Sequence, residues 1–178
     1  MKFTTSQQDL NKALAFVSKA VTARSTMPIL KGILLSVDET GTLTMTASDM
    51  DLSIEKKMAV TDAQPGTIVL PAKLFTDIIR KLPAEPVEIA LGEYNNVSIR
   101  TSLSEFKIIG MPADEFPEIG SVAENRKISV NRDIFKDMIR KTSFAASLDE
   151  SKGVIVGVLI EMRDGCINMA ALDGFRMA

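Results

Sequence analysis

Few side chains in this sequence are of types that do covalent or metal chemistry. There is no His and a single Cys, Cys166. Neither a Ser–His nor a Cys–His nucleophile pair can be assembled, nor an imidazole or multi-thiolate metal site. Cys166, followed by Ile167 and Met169, reads as a small core hydrophobe. Asp149 and Glu150 are adjacent, and on a strand they would point to opposite faces. Asp49 and Asp51, in SDMDLS, would share a strand face and are a carboxylate pair that could hold Mg2+. Asp49, however, recurs as Asp173 at the same point of an internal repeat, which points to a turn whose carboxylate accepts backbone N–H bonds. The turn glycines of DETGTLT and LGEYNN do not form a phosphate-binding G-x-x-x-x-G-K-[ST] pattern. No catalytic residue, metal site or cofactor is expected.

What remains is charge. Residues 71–82 carry Lys73, Arg80 and Lys81 against Asp77, and residues 131–141 carry Arg132, Lys136, Arg140 and Lys141 against Asp133 and Asp137. Each stretch has a net charge of +2. Arg132, Lys136 and Arg140 recur every four residues, forming one stripe of a helix. Residues 6–19 carry Lys12 and Lys19 against Asp9. Residues 84–125 instead hold eight carboxylates against Arg100 and Lys107. Solvated helix faces explain any one of these helices. The shared sign of all three predicts one positive surface able to attract phosphate without reading bases.

The elements that carry these charges repeat. Ile128, Val130, Ile134, Phe135, Asp137, Ile139, Arg140 and Lys141 fall on Ile68, Leu70, Leu74, Phe75, Asp77, Ile79, Arg80 and Lys81 at a constant offset of 60. Gly32 falls on Gly157 and Asp49 on Asp173, at offsets of 125 and 124, the change lying in the turn DETGT against RDGC. Three copies, about 1–60, 66–120 and 126–178, each read strand, helix, three strands. Leu10, Ala13, Leu14 and Val17 predict the buried face of the first helix. Leu74, Phe75, Ile78, Ile79 and Leu82 predict that of the second, which Pro71 opens and Pro83 stops. One helix and four short strands cannot close a core, so two copies should form one α+β domain with two helices on antiparallel sheet. PADEFPEIGSVAEN, with two prolines and four carboxylates, reads as the connection to the next domain. The third copy has no mate within the sequence, as expected of part of a longer chain.

The 178 residues are 46% hydrophobic and 25% charged, with a net charge of −2, an ordinary globular composition that gives no global sign of nucleic-acid binding. No signal peptide or membrane-length apolar run is visible, and with one Cys the expected location is cytoplasmic. ALDGFRMA sets Leu172, Phe175 and Met177 around Arg176, after an Asp-Gly turn signal. These residues suit either a strand-pair core or an apolar groove adaptable to a peptide.

MKFT, MPILKGILL, LPAKLFTDIIRKLP, MPADEFP and ALDGFRMA, in this order and spacing, resemble the bacterial DNA polymerase III beta subunit, the sliding clamp, over the whole chain. The resemblance implies a DNA-clamp fold, with antiparallel sheets outside and helices lining a basic concave face. It implies clamp domain one at 1–120, a linker at 121–125 and the first half of domain two at 126–178. It further implies a non-catalytic processivity factor, closed as a homodimeric ring around double-stranded DNA of any sequence. The partners would be DNA polymerase III core, the clamp loader and other clamp-binding-motif proteins, with no membrane association. Arg24 matches an Arg that reaches DNA, and Lys73 and Arg80 match basic positions of the lining helix. Lys12, Lys136 and Arg140 join them through the shared charge of the helices. Ile155, Leu172, Gly174, Phe175, Arg176 and Met177 match the partner-peptide groove; Phe175 stands where His or Tyr is frequent and Met177 where Leu is. Ile78, Phe106 and Ile108 match one side of the subunit interface. Two other classes compete: a repeat-built protein-interaction scaffold without DNA binding, and a small α/β enzyme, against which the missing His and nucleophile stand.

Overall fold

The computed structural model describes residues 1–22, 27–119 and 127–178. These form two compact units, Met1–Gly120 and Ser121–Ala178.

In unit 1 the chain runs β1 (Lys2–Ser6), α1 (Gln7–Val17), β2 (Gly32–Val37), β3 (Thr42–Ser48), β4 (Ser53–Ala59) and β5 (Thr61–Gln64), then β6 (Gly66–Pro71), α2 (Ala72–Lys81), β7 (Pro86–Leu91), β8 (Asn96–Arg100) and β9 (Glu105–Ile109). Ser6 caps α1, its Oγ accepting from the Asp9 N–H. Pro71 precedes α2, where a missing N–H costs nothing. The strands form two antiparallel sheets, ordered β4-β3-β2-β6 and β5-β1-β7-β8-β9. Each sheet is thus the three-stranded meander of one repeat completed by the first strand of the other. β6 lies along β2 with Leu70 opposite Ile33 and Ile68 opposite Leu35. β1 lies along β7 with Phe3 opposite Ile89. The extra strand β5 follows β4 after Val60 and crosses to the other sheet, where it pairs with β1.

One core joins both sheets and both helices. Phe3, Leu10, Leu14, Leu35, Leu43, Phe75, Ile79 and Ile99 are all at 0% exposure. The predicted inner face of α1 is buried as expected. In α2, Phe75 and Ile79 are buried, but Leu74 is half exposed, because the apolar stripe is wider than the face the sheets cover. Gln7 ties the helices together, its Nε2 donating to the Ile79 carbonyl at 2.7 Å. The stretch expected as a connection is in part unit 1. Met111 pairs with Val69 on the outer side of β6, and Phe116 packs with Ile29, Leu30 and Val69 in a second small core.

Unit 2 holds α3 (Arg132–Thr142), β10 (Leu159–Arg163) and β11 (Cys166–Ala170). Asn131 caps α3, its Oδ1 accepting from the Asp133 and Ile134 N–H groups. Asp164 and Gly165, both at positive φ, make the two-residue loop between β10 and β11. The corresponding turn of the first copy spans residues 38–41 and is closed by Asp38, which accepts from the N–H groups of Thr40 and Thr42. Two strands, not the expected three, follow α3 among the described residues, and two further expectations for the third copy fail. Residues 127–130 lie outside any strand, because the meander they would complete belongs to another repeat. Cys166 is exposed and not in a core, since the half-domain has too few elements to cover its sheet.

Gly32 shows how closely the exchanged strand approaches. A Cβ there would stand 2.4 Å from Val69 Cγ1 and 3.0 Å from the Leu70 carbonyl oxygen. Gly32→Ala is expected to destabilise unit 1 by about 1–3 kcal/mol through overpacking, read as a lower urea midpoint at unchanged slope.

Candidate nucleic-acid interface and partner groove

In unit 1, α1 and α2 pack against each other and bury their apolar faces in the common core, which leaves their charged faces in solvent. Lys12, Lys73 and Arg80 are all exposed. Lys12 lies 3.7 Å from Asp9, and Arg80 donates to Asp77 at 2.7 Å. These are exposed pairs, weak enough to yield to a competing anion. Arg24 lies outside the described residues. In unit 2, Lys136 and Arg140 are exposed on α3, and Arg140 pairs with Asp137 at the same i, i+3 spacing as Arg80 with Asp77. Lys141 and then Arg140 hold the Asp137 carboxyl below its ordinary range.

Two further cation groupings do not stand out in the sequence. A cleft holds Lys12 together with Lys56 and Lys57 of β4, beside Phe16. A second cleft, at the start of α2, holds Lys31 with Lys73. EKK and ILK carry these lysines outside the helices, and only the fold puts them beside helical lysines.

The groove residues of unit 2 gather around one turn. Asp173 Oδ1 accepts from the Phe175 N–H at 2.8 Å and the Arg176 N–H at 3.0 Å, while Gly174 takes φ +95°. Asp49 does the same in the first copy, accepting from the N–H groups of Asp51 and Leu52, so the recurring Asp is a turn residue in both places. Around the turn, Leu172 bridges to Met177. Arg176 Nε donates to Asp173 Oδ2 at 2.9 Å, and its guanidinium stands 5.7 Å from the centroid of the Phe144 ring. Lys152 donates to the Asp173 carbonyl and lies over the Phe175 ring at 5.7 Å. Ile155 is half-buried in the preceding segment, anchored by its carbonyl accepting from the Ser147 N–H. Phe175 and Met177 are 95% and 74% exposed, so this is an open apolar ridge with cations beside it. Phe144 and Lys152 belong to this cluster but do not stand out in the sequence.

The interface candidates divide. Phe106 is exposed on β9, whose outer edge has no strand beside it among the described residues. Ile78 is partly buried against the core. Ile108, at 5% exposure, is itself a core residue and offers almost no surface. Among the described residues there is no group of three or more potential metal-binding side chains, and no helix long and apolar enough to cross a membrane.

The backbone N–H of Phe175, first, and those of Arg176 hold the Asp173 carboxyl below its ordinary range. A carboxyl lowered in the folded state stabilises its turn above the unfolded value, near 3.9, and loses that contribution as the pH falls through the folded value. The turn is therefore expected to persist below pH ~4, with hydrogen exchange at Phe175 and Arg176 accelerating only in stronger acid. Asp173→Asn should abolish that acid step in an exchange titration.

Residues 1–120 match the model of the DNA polymerase III beta subunit, N-terminal domain, and residues 129–178 that of its central domain. The beta sliding clamp of Bacillus subtilis is 37% identical over 100% of this chain, and that of Synechocystis is 35% identical over 100%. The chain spans 49% and 47% of their lengths, about half of each. The crystal structure of the Bacillus subtilis clamp superposes with a TM-score of 0.94 at 36% identity, over 99% of this chain and 48% of that one. The Thermotoga maritima beta subunit superposes with a TM-score of 0.89 at 29% identity, over the same shares. With both domain models matched in order and the strand–helix–meander repeats superposing on solved clamps, this chain belongs to the bacterial DNA polymerase III beta subunit family.

Proposed function

We propose that this chain supplies the first domain and half of the second domain of a DNA sliding clamp. The clamp is a non-catalytic ring that holds replicative polymerase on duplex DNA. The observation that carries this reading is the coincidence of family membership along the whole chain with exposed cations on helices whose opposite faces are buried. Lys12, Lys73 and Arg80 on α1 and α2, and Lys136 and Arg140 on α3, face phosphates, and Arg24 contributes to the same binding. They do so diffusely, because base-specific bonds would resist sliding. Lys31, Lys56 and Lys57 widen that surface. Domain one spans 1–120, 121–125 is the linker, and 126–178 begins domain two.

The ring closes between two copies through β9. Phe106 meets the other subunit directly, Ile78 supports α2 behind it, and Ile108 fixes the strand from within the core. The ridge formed by Leu172, Gly174, Phe175, Arg176 and Met177, backed by Ile155, receives short apolar peptides from polymerase, the clamp loader and other clamp-binding proteins. Exposed Met and Phe suit partners of varied shape.

In the whole-length protein, Lys73→Glu with Arg80→Glu is expected to weaken retention on nicked circular duplex while leaving thermal unfolding unchanged. The slope of log affinity against log salt should fall by about 0.9 for each phosphate that is no longer neutralised. Absence of DNA association even at low salt would favour a protein-interaction scaffold instead.

Leu172→Ala with Met177→Ala should reduce the affinity of a labelled apolar clamp-binding peptide by roughly tenfold or more, since each truncation removes apolar area from the interface. Fluorescence anisotropy on the whole-length protein reads this directly.

A further inference from the structure

We propose that Glu85 is a positioning residue for ring closure: its carboxylate fastens the β8–β9 hairpin to the junction of the two helices and so presets β9 for the other subunit. What β9 meets rests on the ring reading above. The latch itself rests on unit 1, within which all its groups lie.

β9 is the part of its sheet that most needs an anchor. It pairs with β8 from Asn96 opposite Ile109 to Arg100 opposite Glu105, and its other edge has no strand beside it among the described residues. The loop that joins the two strands, residues 101–104, is closed locally: the Thr101 N–H donates to the Ser104 carbonyl at 2.9 Å, and the Ser104 N–H donates to Thr101 Oγ1 at 3.1 Å. Leu103 at its tip is 86% exposed, so the tip gains little from apolar packing. A hairpin held only by its own bonds can sway as a body.

Glu85 supplies a hold from outside the hairpin. It lies in the connection between α2 and β7, and its Oε2 accepts from the Ser102 hydroxyl at 2.5 Å. Its Oε1 is buried. Glu88 and Glu105, on strands of the same sheet, pair with Lys2, Arg100 and Lys107. Glu85 has no such cation among the described residues; the hydroxyls of Ser102, first, and of Thr101 hold its carboxyl below the ordinary range. The charge is thus directed at one loop, by hydrogen bonds of the stronger, charge-assisted kind.

The other end of the latch is on the frame of the domain. The Glu85 carbonyl accepts from the N–H of Gln7, the first residue of α1, at 3.2 Å. The buried Gln7 side chain donates in turn to the Ile79 carbonyl of α2. Through Glu85 the hairpin that carries Phe106 is tied to the point where both helices meet.

The test uses the whole-length protein. Subunit exchange is followed by energy transfer between separately labelled preparations, and hydrogen exchange reports on residues 101–109. Glu85→Gln keeps the shape and removes the charge. It is expected to speed amide exchange in the hairpin and to make subunit exchange about tenfold faster. Ser102→Ala should do the same, and the double variant should add little to either, because both remove one interaction. Asp38→Asn, which weakens the carboxylate-closed turn between β2 and β3, should leave subunit exchange at the wild-type rate. Unchanged hydrogen exchange in Glu85→Gln would overturn the latch. A loosened hairpin with subunit exchange at the wild-type rate would overturn its role in ring closure, as would an equal acceleration by Asp38→Asn, which would mark a loss of general stability. A wild-type protein that forms no dimer would overturn the ring reading, and this role with it, whatever the hairpin does.

Discussion

The exchange of one strand between repeats is the contact on which unit 1 depends. β1 and β6 are the shortest path from each repeat into the sheet of the other, and each is followed directly by the helix that lies over the shared core. Hydrogen bonding therefore couples the two repeats as tightly as it couples strands within one. Val69 is in contact with the Gly32 backbone, Gln7 on α1 reaches the end of α2, and the residue pairs that make the core, such as Phe3 with Ile89, come from different repeats. Removing either repeat would leave the meander of the other without the strand that completes its sheet and the inner face of its helix in water.

That constraint orients the charge. Because the inner faces of α1 and α2 are committed to the core, Lys12, Lys73 and Arg80 have no alternative to the solvent face. Their exposed pairs with Asp9 and Asp77 keep the carboxylates close without neutralising the surface. Lys31, from the short 3-10 turn before β2, and Lys56 and Lys57 of β4 join them because the sheets bring β2 and β4 to the ends and sides of the helices. A surface of many separate weak charges can hold a polyanion without fixing it in one register.

The same constraint explains the contrast between the units. The sequences of α2 and α3 are nearly interchangeable: Phe75, Asp77, Ile79, Arg80 and Lys81 recur as Phe135, Asp137, Ile139, Arg140 and Lys141. Ile79 is nevertheless buried and Ile139 exposed, because the first has a second repeat across from it. Only local features survive intact in unit 2: the Asn131 cap, the Asp164–Gly165 loop and the Asp173 turn close through hydrogen bonds within a few residues.

Those local features are what the sequence by itself determined. The helices of all three repeats and the Asp49 and Asp173 turns follow from periodicity, proline placement and short-range hydrogen bonding, and they stand where they were expected. The tertiary structure alone decided which strand pairs with which. An alternating strand such as Gly66–Pro71 has the same pattern whichever sheet receives it, and its partner lies some thirty residues away in a different repeat. For that reason residues 127–130 read as a strand yet form none, Cys166 reads as core yet is exposed, and Ile108 matches an interface position yet lies inside. Phe144 and Lys152 likewise join the groove only because the chain folds back on the Asp173 turn. Burial and contact depend on partners distant in sequence, whereas caps and turns carry their partners within the same few residues.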